Sequence, residues 1–260
     1  MKDINPASYA FNFPTTGADG LYFDLIIYGD IDEDELTWSP VMHEGITATV
    51  KKIAARDSWA WVLGNMTPDE EEFFNSHIFM RVTLTGPEAR TQWYNSYPSL
   101  IAKPRLPQTF ELVGKDRKGN EVVKYGFVLQ KWFVTRGDGR KSQPEQISWC
   151  SRLGYRLSQA RDLTNSVCSP RDVIHNNCQG IVTSTPSSDL NGYKFNIGAF
   201  LTEWGYTPLY TGAGFYSDVW VSDELDNRRF IMLIDTGGIH GARKSETFYE
   251  DDRNAICTIP

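Results

Sequence analysis

The sequence predicts two unlike halves, an all-β sandwich over residues 1–103 and an α+β unit over residues 104–260. Three observations carry that expectation. At 260 residues the chain is longer than one ordinary domain requires. Its charge changes along its length: residues 1–103 hold 7 Lys/Arg against 15 Asp/Glu, whereas residues 104–260 hold 19 against 18, giving the net −7. The step coincides with Pro98, Pro104 and Pro107. Proline fixes φ and restricts its predecessor, so 97–107 reads as a semi-rigid linker or extended strand between the halves.

In the first half Leu21, Phe23, Leu25 and Ile27 alternate with Tyr22, Asp24, Ile26 and Tyr28, the period of a half-buried strand. Further β-rich runs stand at 46–53, 58–63 and 77–85, with turn residues between them. One short helix is expected over 68–75, where Thr67 caps, Pro68 suits the first helical position and Glu70 completes a capping box. Short strands at this spacing make a sandwich of about 100 residues.

The second half opens on a hairpin: 109–114, a Lys118-Gly119-Asn120 turn, and a long β-rich run from Val122 to Val134. A polar, glycine-rich loop follows over 135–142. Pro144 and Glu145 then open a helix that sets Ile147, Cys150 and Leu153 on one face and stops at Gly154. Ser158 caps a second helix carrying Ala160, Leu163 and Val167. Residues 169–198 lack periodicity and read as loop, before strands at 218–221, 229–235 and 254–259.

Composition excludes several classes. Hydrophobic residues are 40% of the chain and aromatics 13%, enough for a packed core and too much for a disordered chain. The longest apolar runs, such as 230–234, fall far short of the ~20 residues of a spanning helix. A net charge of −7 disfavours a protein that coats duplex nucleic acid by neutralising phosphates. All four cysteines lie in the second half at spacings of 18, 10 and 79 residues. Such spacings do not suit zinc, which takes Cys-x2–4-Cys pairs; they favour two disulfides and an oxidising compartment. No apolar stretch of signal-peptide type follows Met1, so an excised fragment of a longer exported protein is expected.

Little in the chain points to catalysis. Asp30, Asp32 and Asp34 alternate like an EF-hand loop, but Glu35 replaces the required glycine and Val41 the bidentate glutamate, leaving a solvated acidic turn. No nucleophile elbow, zinc-protease pair or phosphate-cradling loop occurs. His43, His77, His175 and His240 stand in unrelated contexts, and the carboxylates at 69–72 and 250–252 read as capping and surface charge. No catalytic residue, metal ligand or cofactor is assigned.

Two features suit recognition. Arg136-Gly137-Asp138 is an integrin-recognition tripeptide, with Gly137 and Gly139 flanking Asp138 in a loop expected to protrude; a tight turn needing glycine is the competing reading. Tyr210, Phe215 and Tyr216 lie among glycines in the distal loops and offer contact area at low entropy cost, against the competing reading of core. Trp204 and Trp220 are expected to be structural.

The words Ser148-Trp149-Cys150, Leu153-Gly154-Tyr155-Arg156-Leu157, Leu163-Thr164-Asn165, Glu203-Trp204-Gly205 and Trp220-Val221-Ser222-Asp223 resemble the C-terminal, C-type-lectin-like domain of intimin and invasin, the enterobacterial inverse-autotransporter adhesins, particularly the SinH-like branch. The resemblance covers roughly residues 108–260, and residues 1–103 then look like the last bacterial immunoglobulin-like module of such a passenger. Ser158 departs from the family, which often has proline there. The resemblance implies disulfide Cys150–Cys257 between the first helix and the last strand; Cys168 and Cys178 add a second local pair that intimin-type domains do not generally need, and their placement near a loop reads as a local staple. It also implies an adhesin tip outside the bacterial cell, held by an outer-membrane barrel absent from this chain, that binds a host or bacterial cell-surface protein. Calcium-dependent sugar binding is not expected: Gln143-Pro144-Glu145 comes too early for the lectin calcium loop, and Val221-Ser222-Asp223 replaces the usual Asn-Asp after tryptophan. Alternatives are a calcium-independent glycan lectin and a phage-type receptor-binding module.

Overall fold

The computed structural model describes residues 5–27, 29, 31–54, 78–168, 178–243 and 252–259. The expected strand at 58–63 and helix at 68–75, with Asp30, His77 and His175, lie outside the described residues. The fold is mostly β, with few helices.

Strands β2 (Tyr22–Leu25), β4 (Val41–His43), β5 (Ile46–Ala54) and β6 (Ile78–Thr85) form an antiparallel sheet in the order β2-β6-β5-β4. The β4–β5 turn is Glu44-Gly45, with φ of 51° and 81°, the left-handed pair that lets a two-residue hairpin follow the strand twist. A second sheet joins β3 (Thr37–Trp38), β7 (Gln108–Lys115) and β8 (Glu121–Leu129). The β7–β8 turn is held by Asp116, whose carboxylate accepts from Lys118 N–H and Asn120 N–H, both at 2.8 Å. Alternation turns Phe110, Leu112, Phe127 and Leu129 inward to face Phe23, Ile46, Ala48 and Val82 of the first sheet. Ring contacts cross the gap, Phe23 to Phe127 at 5.9 Å and His43 to Phe110 at 5.2 Å between centroids.

The expected hairpin is therefore present, but it closes the sandwich of the first half. The run 122–134 breaks at Gln130, after which β9 (Lys131–Thr135) enters a third sheet. That sheet runs β1 (Thr16–Ala18), β9, β14 (Asn254–Thr258), β11 (Val219–Leu225), β12 (Arg228–Met232) and β13 (Ile239–Arg243), with β10 (Arg156–Leu157) also on β14. Helix α1 (Gln143–Arg152) lies against β10, β11 and β14, while α2 (Ala160–Leu163) and α3 (Phe200–Trp204) are single turns. Strand β13 escaped the sequence reading because Ile239-His240-Gly241 shows no clear alternation.

The expected boundary at 103/104 does not part the sheets. Strand β1 of the first half pairs in parallel with β9, Thr16 opposite Lys131 and Ala18 opposite Phe133, and β3 pairs with β7. Buried apolar residues from Ala18 to Cys257 form one contiguous cluster. The proline-rich stretch is likewise no free linker: Ile101 N–H donates to Leu153 O at 3.2 Å and the Tyr155 hydroxyl donates to Ala102 O at 2.7 Å. Charge and proline content report on surface and turns, whereas strand partners follow the apolar pattern, so the compositional step and the sheet boundaries diverge.

Glu203, in α3, fastens the first half to the second. Its buried carboxylate accepts from Thr15 N–H at 3.0 Å, Thr16 N–H at 2.8 Å, the Thr16 hydroxyl at 2.7 Å, Gly198 N–H at 2.7 Å, and the Thr15 hydroxyl. Beside it the Trp204 indole donates to Thr16 O at 3.2 Å. Cys150 of α1 is bonded to Cys257 of β14 across 107 residues, the pair the resemblance implied, and Cys168 to Cys178 across 10, the expected local staple.

Ser158 does not cap α2 as expected. Its N–H donates to Ile256 O at 2.9 Å and its carbonyl accepts from Ser222 N–H at 2.8 Å, so its backbone bridges β14 and β11. The helix ends at Leu163, leaving Val167 exposed. Asp162 holds the first turn: it accepts from Gln159 N–H at 2.9 Å and Arg156 Nη1 at 2.6 Å, with Lys131 Nζ at 3.2 Å. Burial opposes ionisation, but these donors and charges outweigh it and hold the carboxyl below its ordinary value. A lowered folded pKa contributes stability above the unfolded value and loses it as pH falls through the folded one. Asp162→Asn should thus cost about 1–2 kcal/mol at neutral pH, and the gap to wild type in urea melts should shrink below about pH 4.

Candidate functional site

Residues 90–103 form a strap along α1 and the 136–140 loop. Its anchor is Trp93, whose indole donates to Thr135 O at 3.0 Å and whose carbonyl accepts from Arg136 Nε at 2.9 Å. The Trp93 ring lies over two glycines: a Cβ on Gly137, where φ is +59°, would stand 2.3 Å from it, and one on Gly214 2.8 Å. Gln92 and Ser99 close the strap on itself, Ser99 N–H donating to Gln92 Oε1 at 2.6 Å and Gln92 Nε2 to Ser99 O at 3.2 Å. The Trp149 indole of α1 donates to Asn95 O at 3.1 Å.

This framework holds large apolar side chains in solvent. Tyr94, Tyr97 and Leu100 are 75%, 73% and 75% exposed, and Tyr216 is 50% exposed. Tyr94 donates its hydroxyl to Asp138, and that bond, with lesser help from burial, pushes the phenol above its ordinary pKa. Tyr216 meets the edge of Trp93 at 6.3 Å between centroids. Tyr97 lies under the Arg152 guanidinium, 4.8 Å from its ring centre, and Leu100 lies over Gly154. Arg140 Nη2 donates to the Ser217 hydroxyl at 3.1 Å, tying the 136–140 loop to the segment bearing Tyr216.

The residues singled out from the sequence divide between core and surface. Tyr210 and Phe215 are core: Tyr210 is 8% exposed with its hydroxyl on Trp204 O, and Phe215 is 2% exposed against Phe200 at 4.9 Å. Tyr216 alone of the three reaches solvent. Arg136 is only 2% exposed, pinned by Trp93 O, by Gln146 Oε1 at 2.9 Å and by the Trp149 ring at 5.0 Å. Burial lowers its pKa, partly offset by Glu145. The tripeptide therefore presents Asp138 to solvent without its arginine, because Gly137 and Gly139 make room for Trp93 and its carbonyl. Arg136→Lys, which keeps the charge but loses the planar fork, should lower stability by about 1–2 kcal/mol in thermal melts.

Other candidates have structural partners. Gln143 Nε2 donates to Val221 O at 2.6 Å, and Glu145 accepts from the Ser142 hydroxyl at 2.6 Å, a bond that holds the carboxyl below its ordinary value at the start of α1. Trp204 and Trp220 are buried, Trp220 donating to Lys141 O at 3.1 Å. Asp32 accepts from Asp34 N–H at 3.0 Å, and Asp34 is paired with Lys52. His43 packs on Phe110, and His240 lies in β13.

The sequence reading passed over Tyr97 and Leu100 because it treated 97–107 as linker or extended strand, and it made no reading of Tyr94. The signal was present: Trp93, Tyr94, Tyr97 and Leu100 are dense apolar bulk for a spacer containing a proline. Comparison with protein-family models, curated proteins and solved structures gives no match.

Proposed function

We propose that this chain is a tip segment of a bacterial surface adhesin and that it attaches non-covalently to a protein on another cell through the strap bearing Tyr94, Tyr97 and Leu100, together with Tyr216. The observation that carries the reading is the exposure of three large apolar side chains on a segment bonded to α1, itself tied by disulfide to β14, with exposed Tyr216 beside Trp93 of that segment. Aromatic groups held rigid in the free protein give up little entropy on binding, which suits them as interface anchors. The resemblance of residues 108–260 to the intimin and invasin tip supports the same reading, and two disulfides fit an oxidising compartment outside the cytoplasm. Among the described residues no helix is long and apolar enough to cross a membrane.

The test is binding of the fluorescently labelled chain to intact cells. Tyr97→Ala combined with Leu100→Ala should reduce binding by about 2 kcal/mol or more, roughly thirtyfold. Protease treatment of the target cells should abolish binding. Undiminished binding by the double variant would reject this surface, and protease-resistant binding would reject a protein receptor.

A further inference from the structure

Between α1, β10 and the start of α2 lies an open groove of about 460 Å³. We infer that this groove binds a carboxylated sugar, a sialic or hexuronic acid at the end of a glycan. The inference does not depend on the strap surface. The volume is within the usual range for small-molecule sites, about 300–1,000 Å³, and suits one or two sugar rings. Its accessible apolar lining comes from Ile147 of α1, 41% exposed, carbon surface against which the C–H face of a ring can pack, with Tyr155 and Leu157 almost wholly buried behind it.

Charge then selects among sugars. Arg156 and Arg161 both line the groove, with no carboxylate in the lining, on a chain whose net charge is −7. The neighbouring acids are already engaged, Asp162 by Arg156 and Lys131, and Asp223 by Ala160 N–H at 2.8 Å. Arg161 uses Nε on Gln159 Oε1 at 2.8 Å, and neither of its Nη groups bonds a described residue. Arg156 bonds Asp162 and Leu157 O through Nη1 alone. A planar fork with unused N–H groups matches a carboxylate. The hydroxyls of Ser151 and Ser222, also in the lining, make no hydrogen bond to described residues and are placed for ring hydroxyls. An inorganic anion would make no use of the apolar lining, and an extended peptide would need an open backbone edge, whereas this lining offers side-chain donors around carbon.

Saturation-transfer NMR and calorimetry on the whole chain test the inference, with N-acetylneuraminic acid, glucuronic acid, galactose and inorganic phosphate as probes. At least one acidic sugar should bind about tenfold or more tightly than galactose and phosphate, a difference of about 1.4 kcal/mol. Arg161 is exposed, so Arg161→Ala and Arg161→Glu should fold normally by thermal melt and lose that binding, while Tyr216→Ala retains it. Binding of galactose or phosphate as tight as the acidic sugars, absence of binding by both acids, or unchanged binding by folded Arg161→Glu would each overturn it.

Discussion

Glu203→Ala should destabilise the chain by about 4 kcal/mol, measured as a fall in the urea unfolding free energy. The carboxylate gathers three backbone N–H groups and two threonine hydroxyls. Alanine leaves all of them without that acceptor, and an unsatisfied buried polar group costs about 1–3 kcal/mol. Thr15 and Thr16 begin the segment that pairs with β9, so the damage should spread: amide exchange should quicken at Thr16, Gly17 and Ala18 before it quickens in the sandwich. Glu203→Gln keeps one acceptor oxygen but turns an N–H₂ toward donors, and its loss should be intermediate. A cost below about 1 kcal/mol for the alanine variant would mean that Glu203 does not fasten the halves.

Loss of Cys257 should come next. The Cys150–Cys257 bond spans 107 residues and joins α1 to β14, which lies between β9 and β11 in the third sheet. Constraint of so long a loop in the unfolded chain contributes about 2–5 kcal/mol, and Cys257→Ser should lower stability by that amount. The Cys168–Cys178 bond spans only 10 residues, so replacing both by serine should cost less, about 2–3 kcal/mol. Chemical denaturation of the two variants gives the order directly. A larger loss from the short pair would contradict the placement of the long bond at the centre of the fold.

Local pattern made several elements legible. The alternation at 21–25, the bulk of β5 and β6, the Lys118-Gly119-Asn120 turn and the start of α1 at Pro144-Glu145 follow from periodicity, turn chemistry and capping, all written within a few residues. Partners distant in sequence were not legible. Nothing local says that Thr16 lies beside Lys131 or that β7 faces Phe23, because those choices are made by side chains that meet only in the folded core. The same limit hid which of the candidate site residues are buried. Arg136 looked like a loop arginine among glycines, but the glycines serve Trp93, some 40 positions earlier, and the arginine is held by the Trp93 carbonyl and over the Trp149 ring. Tyr210 and Phe215 looked like loop aromatics for the same reason, and their partners Trp204 and Phe200 stand on a one-turn helix too short for its periodicity to be read.

The central claim is that the strap, not the Arg-Gly-Asp loop, makes the cell contact. The most direct measurement is the dissociation constant of the labelled chain for target cells, compared between Tyr97→Ala and Asp138→Glu in otherwise identical protein. The account predicts at least about tenfold weaker binding for Tyr97→Ala, with Asp138→Glu close to wild type. Loss of binding in Asp138→Glu with Tyr97→Ala unaffected would contradict it.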